Sequence, residues 1–126
     1  MGGKWIGFTG HRDKVTDDRF IYEIEEKYPG AVWVHGGAEG FDTQVNSVAR
    51  TLGKHTKEQL IVLRPDYKNY SAKYAPLVRN KYIVRMTSVL YAMWDGRMQG
   101  GTYQTIMYAK NSDCEVVILR PTGWNK

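Results

Sequence analysis

The sequence predicts an α/β protein, a Rossmann-like doubly wound three-layer sandwich with a five-stranded parallel sheet, formed by residues 1–126 as a single domain. Three observations predict it. Strand-like and helix-like stretches alternate along the whole chain. The strand-like stretches are nearly continuous apolar runs, as expected for parallel strands covered on both faces. The unusual residues follow the strands, and doubly wound sheets bind ligands at the carboxyl ends of their strands.

Five apolar stretches have the length and composition of strands. They lie at residues 4–9, 31–35, 59–64, 88–94 and 115–120. Cys114 directly precedes the last of them, in "CEVVIL", so a small buried thiol is expected there rather than a nucleophile.

Two helices are predicted between the first three strands. Thr16 or Asp17 can cap the first one, which a Pro-Gly pair ends. Asp42 or Thr43 can cap the second, whose apolar residues recur at helical spacing and for which Gly53 is the expected C-cap.

Two more helices are predicted further along the chain. Pro76 fits the first turn of a helix that runs to about Met86. The last helix is expected near 103–110, after a loop rich in glycine.

The composition is that of a soluble globular protein, with 42% hydrophobic and 25% charged residues. No apolar run approaches the roughly 20 residues that span a bilayer, and no secretory signal is evident, so neither a membrane partner nor export is expected. A single cysteine fits a reducing cytoplasm. The net charge of +5, from 18 Lys and Arg against 13 Asp and Glu, favours anionic partners without separating nucleic acid from phosphorylated small molecules.

Two glycine-rich loops precede predicted helices. Gly36, Gly37 and Gly40 follow the second strand, and Gly100-Gly101 follows the fourth. Unpaired N–H groups and the helix dipole attract anions at a helix N-terminus, and glycine lets a phosphate approach the backbone. The loops therefore predict anion binding, and a tight turn without a ligand is the alternative. Neither loop is a Walker A motif, because no Gly-Lys-Ser/Thr follows.

Other polar and aromatic residues gather at the same predicted edge. Arginines can clamp phosphates or carboxylates, aspartates can bond ribose hydroxyls, and aromatic side chains can stack on a base. Helix capping explains Asp42 equally well. These candidates are Arg12, Arg64, Arg79, Arg97, Asp42, Asp66, Asp95, Tyr67, Tyr70, Tyr74 and Trp94.

Two histidines, His11 and His35, end the first two strands. A metal site would need a third ligand, and no spacing supplies one, so neither a metal nor a cofactor is expected. His11 is expected to bond a ligand or to shape its loop.

Four motifs in order resemble the SLOG superfamily, which includes the DprA DNA-processing proteins, the LONELY GUY phosphoribohydrolases and the YpsA/YspA-type proteins. They are "GFTGHR" (7–12), "HGGAEGFDTQV" (35–45), "APLVRN" (75–80) and "WDGRMQGGTYQT" (94–105). The resemblance covers nearly the whole chain. It implies a nucleotide or nucleotide-derived ligand over the two glycine loops, and a homo-oligomer.

The resemblance also bears on catalysis. LONELY GUY enzymes carry a glutamate that works with an arginine to break an N-glycosidic bond. Aligned on Gly101-Thr102, that glutamate falls on Thr105, with Gln104 beside it, and neither side chain can act as the carboxylate. Arg79 resembles the catalytic arginine, while Glu39 or Asp95 could substitute for the missing acid.

Three functions follow as hypotheses. The first is a binding protein for a nucleotide-derived metabolite or signal, acting as a sensor, a carrier or a sequestering protein of the kind a phage encodes against a nucleotide-signalling defence. The second is an N-glycosidic hydrolase of nucleoside monophosphates or ADP-ribose derivatives. The third, single-stranded DNA binding, ranks last, because the aromatic residues follow strand ends rather than basic stripes. The predicted ligand-binding residues are Thr9, Gly10, His11, Arg12, Gly36, Gly37, Ala38, Gly40, Asp42, Arg64, Pro65, Tyr67, Arg79, Asn80, Trp94, Asp95, Gly96, Arg97, Gly100, Gly101 and Thr102.

Overall fold

The protein is built on a five-stranded, all-parallel sheet with four helices, as seen in a computed structural model that describes residues 4–124. The predicted Rossmann-like α/β class is confirmed. The elements in chain order are β1 (Trp5–Gly10), α1 (Asp18–Lys27), β2 (Val32–His35), α2 (Phe41–Thr51), β3 (Leu60–Val62), α3 (Ala75–Met86), β4 (Val89–Met93), α4 (Gly101–Lys110) and β5 (Glu115–Leu119).

Two hydrophobic clusters lie on opposite faces of the sheet. Alternate strand residues point to opposite faces, so Trp33 packs in one cluster and Val34 in the other. The first cluster includes Ile21 and Ile24 of α1 and the apolar stripe of α2. The second includes Ile83 of α3 and residues of α4. Each face of the sheet is thus covered by two helices, which makes the predicted three layers.

The strand order is β3-β2-β1-β4-β5. The chain moves outward from β1 to β3 and then returns to the other side of β1, where β4 pairs with it from Ile6↔Val89 to Gly10↔Met93. A crevice opens at such a switch point because the connections leave the two neighbouring strands in opposite directions. The carboxyl ends of β1 and β4 are therefore the expected position of a ligand.

Several predicted boundaries and caps differ from the structure. β3 covers three residues instead of the predicted 59–64, because its partner β2 ends at His35, which pairs with Val62. α4 starts at Gly101, two residues early. Asp17, one of the two predicted cap residues, is the N-cap of α1, although its side chain makes no cap bond.

The predicted cap of α2 was wrong. The N-cap is Gly40, and Asp42 lies in the first turn with its carboxylate turned back to the preceding loop. At the other end Leu52 is the C-cap and Gly53 follows it. Cys114 is buried, as predicted. None of the described helices is both long and apolar enough to cross a membrane.

Candidate functional site

A cleft of about 550 Å³ lies at the carboxyl edge of the sheet, where β1 and β4 meet. The loop after β1, the first turns of α3 and α4 and the loop after β4 form its walls. More than half of the predicted ligand-binding residues line it: Thr9, Gly10, His11, Arg12, Ala38, Asp42, Arg79, Asn80, Arg97, Gly100, Gly101 and Thr102. These residues were predicted from the rule that ligands bind beyond the strand ends, and the fold brings them together in one cleft.

The N-terminus of α4 opens into this cleft. Its N-cap is Gly100, with φ of 94°, and no side chain of the described residues caps the helix. Gln104 N–H donates to the Gly100 carbonyl, but within residues 4–124 the N–H groups of Gly101, Thr102 and Tyr103 find no acceptor. A Cβ atom on Gly101 would approach nothing closer than Asn80 Nδ2 at 3.9 Å. This turn combines free donors, a positive helix dipole and open space, as an anion site requires.

Four cationic side chains line the cleft. Arg97 is paired, with a fork of bonds to the Asp95 carboxylate and a contact of 3.6 Å to Asp13 Oδ1. Arg12, Lys73 and Arg79 form no ion pair with any residue of the described chain. Unpaired cations beside an uncapped helix start favour a negatively charged occupant.

Asp42 lies on the floor of the cleft and is buried. Its Oδ2 accepts the N–H groups of Gly36 and Ala38 at 3.1 and 3.2 Å. Its Oδ1 is also buried and has no hydrogen-bond partner among the described residues. Burial raises the pKa of this carboxyl, against the opposing effects of nearby His35, the two N–H donors and Arg79. An unpartnered buried oxygen is costly unless a bound group satisfies it.

The first glycine loop differs from the open start of α4, because three of its N–H groups are already bonded within the protein. Asp42 occupies the N–H groups of Gly36 and Ala38, and Gly37 N–H donates to His35 Nδ1 at 3.0 Å. A side chain at these glycines would collide with other residues of the protein, so the absence of side chains serves internal packing. A Cβ on Gly36 would overlap the guanidinium of Arg79.

The same crowding holds at the other loop glycines. A Cβ on Gly37 would come within 2.6 Å of Arg64 Nη1, and one on Gly40 within 2.5 Å of the backbone carbonyl oxygens of His11 and Arg12. A Cβ on Gly10 would lie 2.5 Å from the ring of Phe41. The missing side chains here serve packing of the loops around the cleft.

Arg79 fastens the first glycine loop to α3. Its Nη1 donates to the carbonyls of Gly36 and Leu63, and its Nε donates to Asn80 Oδ1 at 2.7 Å. Burial lowers the pKa of this guanidinium, although Asp42 opposes the shift. Arg79 is thus a structural clamp as well as a cleft residue.

His11 joins the ends of β1 and β4. Its Nε2 accepts the N–H of Asp95 at 3.2 Å and lies 3.1 Å from Asp95 Oδ1. Burial lowers the pKa of His11, while Asp95 acts to raise it. The side-chain bonds from Arg97 hold the pKa of Asp95 well below its usual range. His11 thus holds the loop after β4 against the end of β1.

His35 is held by its neighbours as a neutral ring. Its Nδ1 accepts from Gly37 N–H, so its Nε2–H donates to Asn46 Oδ1 at 2.9 Å. Burial lowers its pKa. Within the described chain no three His, Cys, Asp or Glu side chains are placed to hold a metal ion.

The remaining predicted residues lie outside the cleft walls. Gly37 and Arg64 line a separate cavity beside β3. Trp94 stacks on Tyr103 with ring centroids 6.1 Å apart and donates to the Arg97 carbonyl, and Gly96 lies against Trp124. Pro65, Asp95, Gly36 and Gly40 also do not line the cleft. Asp66 caps its own turn by accepting the N–H groups of Lys68 and Asn69, and Tyr67, Tyr70 and Tyr74 are exposed.

Sequence reasoning missed other cleft residues. Lys73, Pro76, Leu77, Asp13, Gln99 and Gln104 line the cleft but were not predicted to bind ligand. Gln104 follows the second glycine pair by one helical turn, a spacing that could have identified it. Thr105, by contrast, faces away from the cleft, and its hydroxyl donates to the Gly101 carbonyl at 2.7 Å.

No protein-family model matches the chain, and none of the curated proteins compared with it is similar to it. The likeness to the SLOG superfamily therefore rests on the four sequence motifs, and what it implies about the ligand is a proposal.

Proposed function

We propose that this protein binds a nucleotide or a nucleotide-derived metabolite in the cleft between β1 and β4. The uncapped first turn of α4, facing a 550 Å³ cleft with three unpaired cations, is the observation that carries the proposal. A phosphate there accepts the free N–H groups of Gly101, Thr102 and Tyr103 and is neutralised by Arg12 and Lys73.

The carboxyl of Asp42 supports a polar ligand rather than a bare anion. Asp42 lines the cleft, so a second anion beside this carboxyl would be repelled, whereas a neutral polar group such as a sugar hydroxyl would not be. A phosphate joined to a hydroxyl-bearing sugar meets both requirements, and that is the chemistry of a nucleotide.

Binding without turnover is the form of this function that we favour. Thr105 lies outside the cleft and is bonded to its own helix, so it cannot replace a catalytic carboxylate. Asp95, one of the two possible substitutes, has both oxygens bonded by Arg97, and neither it nor Glu39 lines the cleft. A carrier, a sensor or a sequestering protein fits such a site.

Calorimetric titration tests this function with AMP, ADP-ribose and adenosine, and with oligo-dT for the DNA-binding alternative. We expect the phosphorylated ligands to bind and adenosine to bind weakly. Arg12→Gln removes a cleft cation, and charge-assisted bonds of this kind contribute roughly 1.5–3 kcal/mol. Arg19→Gln is the matched control, since Arg19 is exposed on α1 outside the cleft.

Equal binding by both variants, or no heat with any phosphorylated nucleoside, contradicts the proposal. Free base released over many turnovers, detected by chromatography, would establish the hydrolase instead. Preferred binding of oligo-dT would establish the DNA-binding alternative.

We also propose that the chain forms a homo-oligomer. α3 and α4 border a largely apolar groove of about 250 Å³ between Tyr74, Leu77, Val78 and Tyr108, and Tyr82 and Met107 on these two helices are exposed. Apolar and aromatic surface of this kind is typical of the centre of an interface. A monomeric mass in light scattering at micromolar concentration would refute this.

A further inference from the structure

A second cavity, of about 380 Å³, lies along the outer edge of β3, and we call it the basin. It runs between α2 and the segment before β3, and its lining is polar and cationic. The lining residues include Arg50, Lys57, Arg64, His55, Thr43 and Thr56.

The charges of the basin have one sign. Arg50, Lys57 and Arg64 form no ion pair within residues 4–124, and no carboxylate lines the basin. Three like charges around one cavity repel each other, and an anion between them removes that repulsion. Lysine and arginine are donors that phosphate commonly takes in proteins. The hydroxyls of Thr43 and Thr56 already donate to the Ala38 carbonyl and to Gln59 Oε1, so the three cationic side chains carry the argument.

The glycine loop separates the basin from the cleft. Ala38 lines both cavities. Arg79 holds the Gly36 carbonyl and lines the cleft, while Arg64 holds the Gly37 carbonyl at 3.3 Å and lines the basin. The carbonyls of two successive glycines thus accept hydrogen bonds from two arginines, and each arginine lines a different cavity. This pairing explains why the loop lacks side chains on two adjacent residues.

We propose that the basin is a second anion site, for a phosphate-class group, and that it acts separately from the cleft. The group is either a second phosphate of the ligand in the cleft or an independent anion. The proposal stands on the basin's own residues and does not require the cleft to bind a nucleotide.

Amide NMR of the ¹⁵N-labelled full chain tests it with inorganic pyrophosphate as the probe. We expect saturable shifts of the Thr56 and Lys57 amides. In the double variant Arg50→Gln/Lys57→Gln the apparent Kd at these amides rises at least about tenfold, which corresponds to ~1.4 kcal/mol. Lys27→Gln/Lys110→Gln removes the same charge from exposed helix ends outside both cavities and leaves the Kd unchanged.

Unmoved basin amides, or equal weakening by the two double variants, would overturn the second site. The amides of Gly100 and Gly101 report on the cleft in the same spectra, so failure of the proposed function is seen separately. Adenosine 3′,5′-bisphosphate distinguishes the two sources of the anion. If one equivalent of the bisphosphate shifts both the basin amides and the cleft amides, the two phosphates belong to one ligand. If the basin amides shift with pyrophosphate but not with the bisphosphate, the basin binds an independent anion.

Discussion

Two glycines at helix starts, Gly40 and Gly101, have opposite roles. Gly40 has φ of 72°, and its Cα lies so close to the β1–α1 loop that a side chain would meet the carbonyl oxygens of His11 and Arg12. Gly101 lies in the first turn of α4 with open space around it. The sequence predicts the same anion-binding role for both glycines, because a glycine in a sequence does not indicate which neighbouring atom occupies the space of the missing side chain.

Alanine substitution separates the two roles. Gly40→Ala is expected to lower the free energy of unfolding by roughly 1–3 kcal/mol, because it combines left-handed strain with a backbone collision. Gly101→Ala is expected to be neutral or to stabilise by up to about 1 kcal/mol, since alanine favours helix. Urea unfolding followed by circular dichroism measures both. Equal losses in the two variants would refute the assignment.

His35 gives the fold a dependence on pH. Burial lowers its folded-state pKa below the ordinary 6.5, so the unfolded chain binds more protons between these two values. Stability contributed by the neutral ring is therefore complete above about pH 6.5 and is lost as the pH falls towards the folded pKa.

We expect the free energy of unfolding to decrease on acidification from pH 7 to pH 5, and to decrease less steeply in His35→Gln. Glutamine keeps an amide donor for Asn46 but does not titrate. The slopes are compared, because the substitution also lowers stability at every pH. Parallel slopes would show that His35 does not carry the effect.

The elements themselves were largely predictable from sequence. Apolar runs located all five strands, because the sheet is buried on both faces and its pattern is strong. Helical spacing, Pro76 and the flanking glycines located the four helices. Contacts between the loops were not predictable. Arg79 lies 43 residues from the Gly36 carbonyl that it binds, and Asp42 bonds back to its own loop instead of capping α2.

This arrangement makes Arg79 a link between α3, β3 and the first glycine loop. Arg79→Lys keeps the charge but cannot reproduce the fork to Gly36, Leu63 and Asn80. We expect a loss of about 1–3 kcal/mol in unfolding free energy, as for buried acceptors left unsatisfied. Arg85→Lys on the exposed side of the same helix is the control. A fully stable Arg79→Lys variant would restrict Arg79 to ligand binding.

At the scale of the whole molecule, the switch between β1 and β4 determines where ligands can bind. The strand order was not predictable from sequence. The rule that ligands bind beyond the strand ends nevertheless predicted most of the residues that line the cleft. The sequence predicts the same anion-binding role for both glycine loops. The structure separates them, because the protein's own Asp42 fills the first loop while the second remains open.

The central claim is that the open turn of α4 holds the phosphate of a nucleotide-derived ligand. Native mass spectrometry of the chain purified from cells, and again after incubation with a nucleotide library, tests it most directly. We predict a bound mass of a nucleotide or nucleotide derivative that is absent in Gly101→Val, where the side chain fills the open space while circular dichroism still shows a folded protein. A bare chain in both experiments, or the same bound mass in Gly101→Val, would contradict the account.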